Sequence, residues 1–409
     1  MSLINTLAKA SGIAAIAALL LLSLKAPPSG DEGELSVLME PDGTGVWRDL
    51  ASEFNRQNAG VRIQVVEGPP ATNAREDLYS TSFLSGKDSF DIVFCDVIWV
   101  AKFAAAGWLR DLSPRISDED REDFLERELE AGSYAGRLYR VPAFTDAGLL
   151  YYRKDLVPEP PRTFDELAAQ SRRFQTRDRW GFLWQGKQYE GLVTTFLEVL
   201  WGFGGEWIHP GTRQVLLDRP EAIEALRFLK GTIGTISPPG VTSYSEEETR
   251  LLFQGGRAVF LRNWPYVWTL MRRGGAPIED KVAFTSMVHT PGGSSASTLG
   301  GWGFGISCFC PDPEGAWKFV SFITRRRQLE RVQRKMGVIP SRKSLMPAEF
   351  VPIMQAVRIR PPIPEYSQAS DILQRWVSAA LTGRAGCEEA LKAAARETRR
   401  LLMQGEAGP

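Results

Sequence analysis

The feature that most limits the fold is an alternation of short apolar strands with amphipathic helices from about residue 35. The runs "LSVLME", "VRIQVVE" and "FDIVFCD" predict strands over 35–40, 61–67 and 90–96. Helices are predicted between them, over 46–60 and 74–85. This alternation is typical of an α/β fold, in which a parallel sheet has helices on both faces.

A second alternating region begins near Phe144. Thr163 with Glu166, and Ser245 with Glu248, have the spacing of a capping box, in which each side chain bonds to the other's backbone N–H. A chain of 409 residues is long enough for two globular units, each with its own core. The sequence therefore predicts two α/β lobes.

Residues 1–30 read as an export signal. One lysine, Lys9, precedes an apolar run over 13–24, which is the pattern of a secretory signal peptide. The run is short for a membrane span. We expect a periplasmic protein whose residues 1–30 are a signal peptide or an uncleaved N-terminal anchor.

Charge and histidine content exclude several functions. The 49 basic and 49 acidic residues cancel, so nothing favours nucleic acid as a partner. The two histidines, His209 and His289, have neither metal-ligand spacing nor the partners of a catalytic triad. We expect no metal and no cofactor.

Three carboxylates lie where predicted strands begin or end. Glu40 and Asp96 end two strands of the first region, and Asp146 opens a strand of the second. Ligands of open α/β sheets collect at the carboxyl ends of strands, so Glu40 and Asp96 should lie at one edge. Taken singly, each of the three is more often a turn or helix-capping residue.

Aromatic residues follow the same strands. "NWPYVW" places Trp264 and Tyr266 around a proline, and "GGWGFG" places Trp302 among glycines. Glycine neighbours have no side chain with which to bury an indole, so Trp302 is predicted to be an exposed stacking platform. Carboxylates accept hydrogen bonds from neighbouring hydroxyls, and indoles cover apolar C–H faces. The combination favours a polyhydroxyl ligand.

Five stretches, taken in order, resemble the extracellular solute-binding proteins of family 1, the maltose-binding type that serves ABC importers. They are "FDIVFCDVIWVAKFAAAGWLRDL" (90–112), "YRVPAFTDAGLLYYRKDLV" (139–157), "FQGGRAVFLRNWPY" (253–266), "LGGWGFGIS" (299–307) and "MGVIPSRKSL" (336–345). Within the family, the chain is most similar to the trehalose/maltose-binding branch, which includes binders of glucosylglycerol and related osmoprotectant glucosides.

The resemblance implies two lobes with a ligand cleft between them. The expected first lobe is 34–143 with 269–325, and the second is 144–268 with 326–409. The branch's ligand-contacting positions correspond to Glu40, Arg75, Asp96, Phe144, Asp146, Trp264, Tyr266, Gly301, Trp302 and Arg375. Phe144 stands where the branch often has tyrosine, so one hydrogen bond to a sugar hydroxyl should be missing.

The function implied is that of a monomeric, non-catalytic binding subunit. It would bind a neutral sugar or glucoside of the trehalose, maltose, sucrose or glucosylglycerol class. Its partners would be the permease subunits in the inner membrane and their cytoplasmic ATPase. Two alternatives remain open: a binder of the same fold for a non-sugar solute, and an exported glycosidase that uses Asp96 and Asp146 as its carboxyl pair.

Overall fold

The computed structural model describes residues 33–86 and 90–406. The predicted export signal lies outside these ranges. The strands are β1 (Glu34–Met39), β2 (Arg62–Glu67), β3 (Ile92–Asp96), β4 (Ser133–Tyr134), β5 (Arg137–Leu138), β6 (Val141–Ala147), β7 (Leu149–Arg153), β8 (Trp180–Leu183), β9 (Ala258–Asn263), β10 (Val282–Thr285), β11 (Ser297–Ile306), β12 (Ile339–Pro340) and β13 (Val357–Arg358).

The α-helices surround two main sheets. They are α1 (Val46–Gln57), α2 (Thr72–Ser85), α3 (Val100–Ala105), α4 (Asp118–Asp123), α5 (Glu126–Ala131), α6 (Phe164–Phe174), α7 (Glu190–Gly202), α8 (Pro220–Thr232), α9 (Glu246–Gln254), α10 (Tyr266–Met271), α11 (Pro313–Ile323), α12 (Arg326–Met336), α13 (Val351–Met354), α14 (Tyr366–Leu381) and α15 (Cys387–Glu406). In the described ranges, no helix is long and apolar enough to cross a membrane.

The first lobe is built on the larger sheet, which has seven strands among the described residues. Its order is β12-β6-β11-β3-β1-β2, and β13 pairs with β11. Strand β1 runs parallel to β2 and β3, as the alternation predicts. Strand β11 runs antiparallel to β3 and β6, so the sheet is mixed. The long strand β11 therefore links the start of the chain to its middle.

The second lobe is built on the sheet β10-β7-β9-β8. Helix α7 is buried along its whole length, and it packs with α8, α14 and α15 into one apolar cluster. Both predicted capping boxes are present. Thr163 and Ser245 cap α6 and α9 and exchange hydrogen bonds with Glu166 and Glu248. The two-lobed fold predicted from the sequence is confirmed by this architecture and by the structural comparisons below.

Three segments lie in a different lobe from the one that the predicted boundaries assign to them. Residues 144–147 are part of β6 in the first sheet. Strand β10, expected in the first lobe, pairs with β7 of the second sheet. Helix α12, expected in the second lobe, packs on α1 of the first lobe. Leu329 and Val332 join the apolar core of the larger sheet, and Arg331 pairs with Glu53. The remaining boundaries stay a prediction.

The crossing between the lobes is fixed by a buried carboxylate. Glu198 of α7 accepts two hydrogen bonds from Arg262 of β9, at 2.6 and 2.7 Å, and one from the backbone N–H of Thr298 in β11, at 3.1 Å. It lies against Gly148, the residue that connects β6 to β7, where a β-carbon would overlap the carboxylate. Because a buried charge without a partner is costly, the contacts of Glu198 favour the observed placement of β9 beside β11.

Candidate ligand-binding site

A cavity of about 680 Å³ lies between the lobes. The first lobe supplies Glu40 and Asp96, from the ends of β1 and β3. The second lobe supplies Tyr189 and Glu190 at the start of α7 and Glu246 at the start of α9. The volume falls within the range of roughly 300–1,000 Å³ that is usual for small-molecule sites.

Strand pairing brings distant parts of the sequence together on one wall. Trp302 of β11 is directly opposite Asp96 of β3 on one side and Phe144 of β6 on the other. Directly opposite residues point to the same face of a sheet, and so do residues two apart along a strand. Asp146, two residues after Phe144 and opposite Gly300, therefore joins the same row.

Asp96 both caps a short helix and faces the cavity. Its Oδ1 accepts a hydrogen bond from the backbone N–H of Ile98, at 3.2 Å, and lies 3.6 Å from the guanidinium of Arg360. Burial raises the pKa of Asp96, and the charge of Arg360 opposes that rise. Asp96 therefore caps the turn and lines the cavity, and its contact with a ligand stays a prediction.

Glu40 is supported from behind by Arg75. The guanidinium donates to Glu40 Oε2 at 3.1 Å and to the carbonyls of Pro69 and Pro70 at 2.9 Å each. Arg75 is only 1% exposed and does not line the cavity. Arg75 was predicted to contact the ligand directly, but its place behind Glu40 makes it a group that positions Glu40. Burial raises the pKa of Glu40 even against this cation.

Asp146 differs from the other carboxylates of the cavity. Within the described residues, it is the cavity carboxylate to which no protein group donates a hydrogen bond. Burial raises the pKa of Asp146 well above its usual range, and the neighbouring carboxylates Glu128 and Glu40 raise it further. Asp146 is partly buried, and an acceptor withdrawn from water without a donor is costly, so this group is suited to a ligand that donates.

Trp264 and Tyr266 line the cavity together with Glu246 and Glu247. The indole N–H of Trp264 donates to Glu246 at 3.3 Å, and its ring lies 4.1 Å from the guanidinium carbon of Arg262. The hydroxyl of Tyr266 donates to Glu247 at 2.7 Å. Trp264 stays half-buried, so part of its ring is available to an apolar face. Both aromatics line the cavity, and their contact with a ligand stays a prediction.

Trp302 is mostly core, in contrast to the exposed platform expected from its glycine neighbours. It is 8% exposed. Its ring stacks on Phe94, with centroids 5.0 Å apart, and meets the edge of Trp99 at 5.2 Å. Arg75 lies 4.5 Å from the ring centroid. Residues from other elements bury what the glycines leave open, and one part of Trp302 still borders the cavity.

Gly301 needs to be glycine. Its φ of +146° is rare for other residues, and an added β-carbon would lie 2.6 Å from Glu128 Oε1 and 2.7 Å from the carbonyl oxygen of Phe144. The position borders the cavity. Phe144 also lines it, and its ring has no hydroxyl to offer.

Arg375 does not reach the cavity. It lies exposed on α14, where it pairs with Asp371 and Glu397, each at 3.0 Å. Two other arginines, Arg360 and Arg273, line the cavity. Arg360 is 5% exposed and donates to Glu190 at 2.7 Å. In the sequence, Arg360 begins "RPPIP", which reads only as a break between elements.

Sequence reasoning also missed Tyr189, Glu190 and Glu246. Glu190 accepts from Arg360 and, at 2.5 Å each, from the hydroxyls of Tyr366 and Ser370. Tyr189 donates to Glu246 at 2.5 Å. These side chains lie at the first residues of helices that read as ordinary amphipathic or buried segments. The signal available was their place at the starts of two helices.

Two lobes that enclose a cavity of this size define a ligand-binding protein of the two-lobed type. The model of the family described as "Bacterial extracellular solute-binding protein" matches residues 40–329. The chain belongs to this family.

Individual relatives agree with that assignment. A probable ABC transporter-binding protein of Deinococcus radiodurans is 33% identical over 286 residues, which is 67% of this chain and 68% of the relative. The maltotriose-binding protein of Pyrococcus abyssi is 27% identical over 308 residues, 74% of this chain and 64% of the relative. The structure of maltose-bound T. maritima MalE3 is 37% identical, covers 90% of this chain and 99% of its own, and has a TM-score of 0.83.

Proposed function

We propose that the protein binds a neutral sugar or glucoside in the interlobe cavity and delivers it to the permease of an ABC importer. The trehalose, maltose, sucrose and glucosylglycerol class fits best. The main support is Asp146, a partly buried acceptor to which no described protein group donates, in a cavity that also offers an indole face. Such a group is satisfied by a ligand hydroxyl without any added charge.

The other polar groups suit the same ligand. Arg360 lines the cavity as a donor, and Asp96 and Glu40 are acceptors held by Arg360 and Arg75. Trp264 can lie against the apolar C–H face of a pyranose, because its ring is held by Arg262 and Glu246. MalE3 was solved with maltose, which makes α-linked glucosides the first ligands to test.

The alternatives fit the charges less well. A phosphodiester would meet the carboxylates of Glu40, Asp96 and Asp146 at close range. A glycosidase needs one carboxylic acid and one carboxylate on either side of a scissile bond, whereas Asp96 and Asp146 lie in one row on the same sheet face. We propose a non-catalytic, monomeric, periplasmic protein.

A thermal-shift screen with trehalose, maltose, sucrose and glucosylglycerol tests the ligand class. A sugar at 100 times its Kd should stabilise the native state by about 2.7 kcal/mol. Calorimetry should then give one site per chain, and Asp146→Asn should weaken binding. If no neutral sugar raises the melting temperature, the proposed ligand class is wrong.

Two further measurements test catalysis and delivery. Product analysis after long incubation with the bound sugar should show no glucose above background; release of glucose would support the glycosidase. The sugar-loaded protein should stimulate the ATPase of the reconstituted importer. Small-angle scattering should show a smaller radius of gyration with sugar, as expected when lobes close on a ligand.

A further inference from the structure

The walls of the interlobe cavity carry more negative than positive charge. Among the described residues, two arginines line the cavity, Arg360 and Arg273. Arg273 is exposed and donates to the backbone carbonyl of Lys335. Seven carboxylates line the same cavity: Glu40, Asp42, Asp96, Asp146, Glu190, Glu246 and Glu247. A neutral sugar would leave this excess of negative charge as it is.

All but one of the seven carboxylates have a donor in the protein. Arg75 pairs with Glu40, and Arg360 pairs with both Asp96 and Glu190. The others accept from a tyrosine hydroxyl and the Trp264 indole (Glu246), from Arg250 and a tyrosine hydroxyl (Glu247), and from the backbone of the turn (Asp42). Within the described part of the chain, Asp146 is the exception.

The cations behind the wall near Asp146 are already paired. Arg262 contributes positive potential at Asp146, but its guanidinium makes two hydrogen bonds with Glu198. Arg140 pairs with Glu128 at 2.7 Å, and both of these side chains are fully buried. Three neighbouring carboxylates add negative potential at Asp146, namely Glu128, Glu40 and Asp96. A ligand that brings its own cation would offset this potential.

The space beside Asp146 is open because its neighbour in the sheet is glycine. Gly300 lies directly opposite Asp146, and a β-carbon added there would lie 3.1 Å from Asp146 Cβ and 3.4 Å from Trp264 Cζ3. The carboxylate and the indole therefore flank a position that has no side chain. Arg262 already lies 4.1 Å from the indole centroid, so the carboxylate is the group that would hold a ligand cation.

We propose that the preferred ligand of this cavity is an amino-substituted sugar, whose protonated amino group pairs with Asp146. The inference rests on the proposed function, and it narrows the ligand class to sugars that carry one ammonium group. An ammonium in place of a hydroxyl donates three hydrogen bonds and supplies the positive charge that the cavity lacks. Hydrogen bonds between charged groups are roughly twice as strong as those between neutral groups.

The competing explanation is that Asp146 keeps its proton and meets a hydroxyl of a neutral sugar. Burial and the neighbouring carboxylates raise the pKa of Asp146, which favours the protonated form in the absence of ligand. The two explanations differ in one measurable respect. A protonated carboxyl gives an amino sugar no advantage over its parent sugar, whereas an ion pair gives an advantage that depends on Asp146.

Calorimetry at about pH 6, where a sugar amino group is protonated, compares trehalose and maltose with their monoamino derivatives. In each derivative, an amino group replaces the hydroxyl at position 2, 3, 4 or 6 of one ring. One derivative should bind the wild type at least about tenfold more tightly than its parent, the gain from a hydrogen bond between charged groups. Its N-acetyl form, which has no charge, should show no gain.

Two variants assign the gain to a residue. Asp146→Asn keeps the size of the side chain and removes its charge, so it should bind the derivative no more tightly than the parent. Asp371→Asn is the matched control and should keep the gain, since Asp371 lies exposed on α14 and pairs with Arg375.

Each result decides between the explanations. If the parent sugars bind and no derivative binds more tightly, the inference is overturned and the proposed function stands. That comparison uses the wild type, so it decides even if Asp146→Asn is unstable. A gain that survives in Asp146→Asn would also overturn the inference, because another group would then hold the ammonium. If neither the parents nor the derivatives bind, the proposed function fails together with the inference.

Discussion

Replacing Trp302 by alanine should destabilise the ligand-free protein strongly. The ring is 8% exposed, stacks on Phe94 at 5.0 Å and meets the edge of Trp99 at 5.2 Å. Alanine would leave a cavity between β11 and the 3₁₀ turn Val97–Trp99, and the buried guanidinium of Arg75 would lose the ring 4.5 Å away.

The expected cost follows from these contacts. Large aromatic residues truncated to alanine in a core cost about 3–5 kcal/mol. Aromatic pairs contribute roughly 0.5–1.5 kcal/mol beyond the area they bury, and a desolvated cation–π contact contributes about 2 kcal/mol. Trp302 takes part in two such pairs and one such contact. We therefore expect a loss near the upper end of the range, about 4–5 kcal/mol.

Urea unfolding of the apo protein, followed by circular dichroism, measures this loss. With an m-value of about 3 kcal/mol per molar, the midpoint should fall by roughly 1.3–1.7 M. Trp302→Phe keeps the stack on Phe94 and should lose less. Trp317→Ala is the matched control and should lose less stability, because Trp317 is only partly buried against the apolar core of the larger sheet.

One outcome would refute the reasoning. If Trp302→Ala lowers the apo stability by less than about 1 kcal/mol, the ring is not a member of the core. Strongly weakened sugar binding in that variant would then restore the exposed platform that the glycine neighbours suggest. A large loss of stability with sugar affinity retained in the folded fraction would instead remove Trp302 from the site.

Three further predictions concern single groups. Burial raises the pKa of Asp146, so the folded state holds its proton more tightly than the unfolded state does. Stability should fall as the pH rises above about 4, and urea midpoints between pH 4 and 8 should show a smaller fall in Asp146→Asn. Gly301→Ala should lower the free energy of unfolding by roughly 1–3 kcal/mol through backbone strain alone. Gly231→Ala, in open space on α8, should raise it by about 0.5–1 kcal/mol. Arg360→Gln should weaken sugar binding, measured by calorimetry, about tenfold or more. Arg375→Gln should leave it unchanged, because Arg360 lines the cavity and Arg375 does not.

Local patterns predicted the fold well. Short apolar runs predicted β1 to β3, and the capping boxes predicted the first residues of α6 and α9. The antiparallel course of β11 was not visible, because periodicity does not report strand direction. The lobe assignment of β10 depends on pairing with β7, across more than a hundred residues, and no local pattern specifies that partner.

Some residues of the site could be predicted from local sequence, and others could not. Glu40 and Asp96 were found because a parallel sheet gathers the ends of its strands at one edge. Arg360 was missed because its place is set by Glu190 and Asp96, from two different lobes, and not by its own neighbours in sequence. Arg375 has the same chemistry but lies on a helix face whose partners are local carboxylates.

Trp302 shows why local exposure is a poor guide to a binding role. Gly301 and Gly303 leave room for the backbone of β6, and Phe94 of the neighbouring strand β3 lies against the indole. The ring is therefore fixed before any ligand arrives, and it holds Arg75 beneath Glu40. A residue placed in this way supports the cavity wall as well as bordering it, so its loss should reduce stability and affinity together. Asp146, which supports no other described group through a hydrogen bond, should affect affinity while its charge lowers stability.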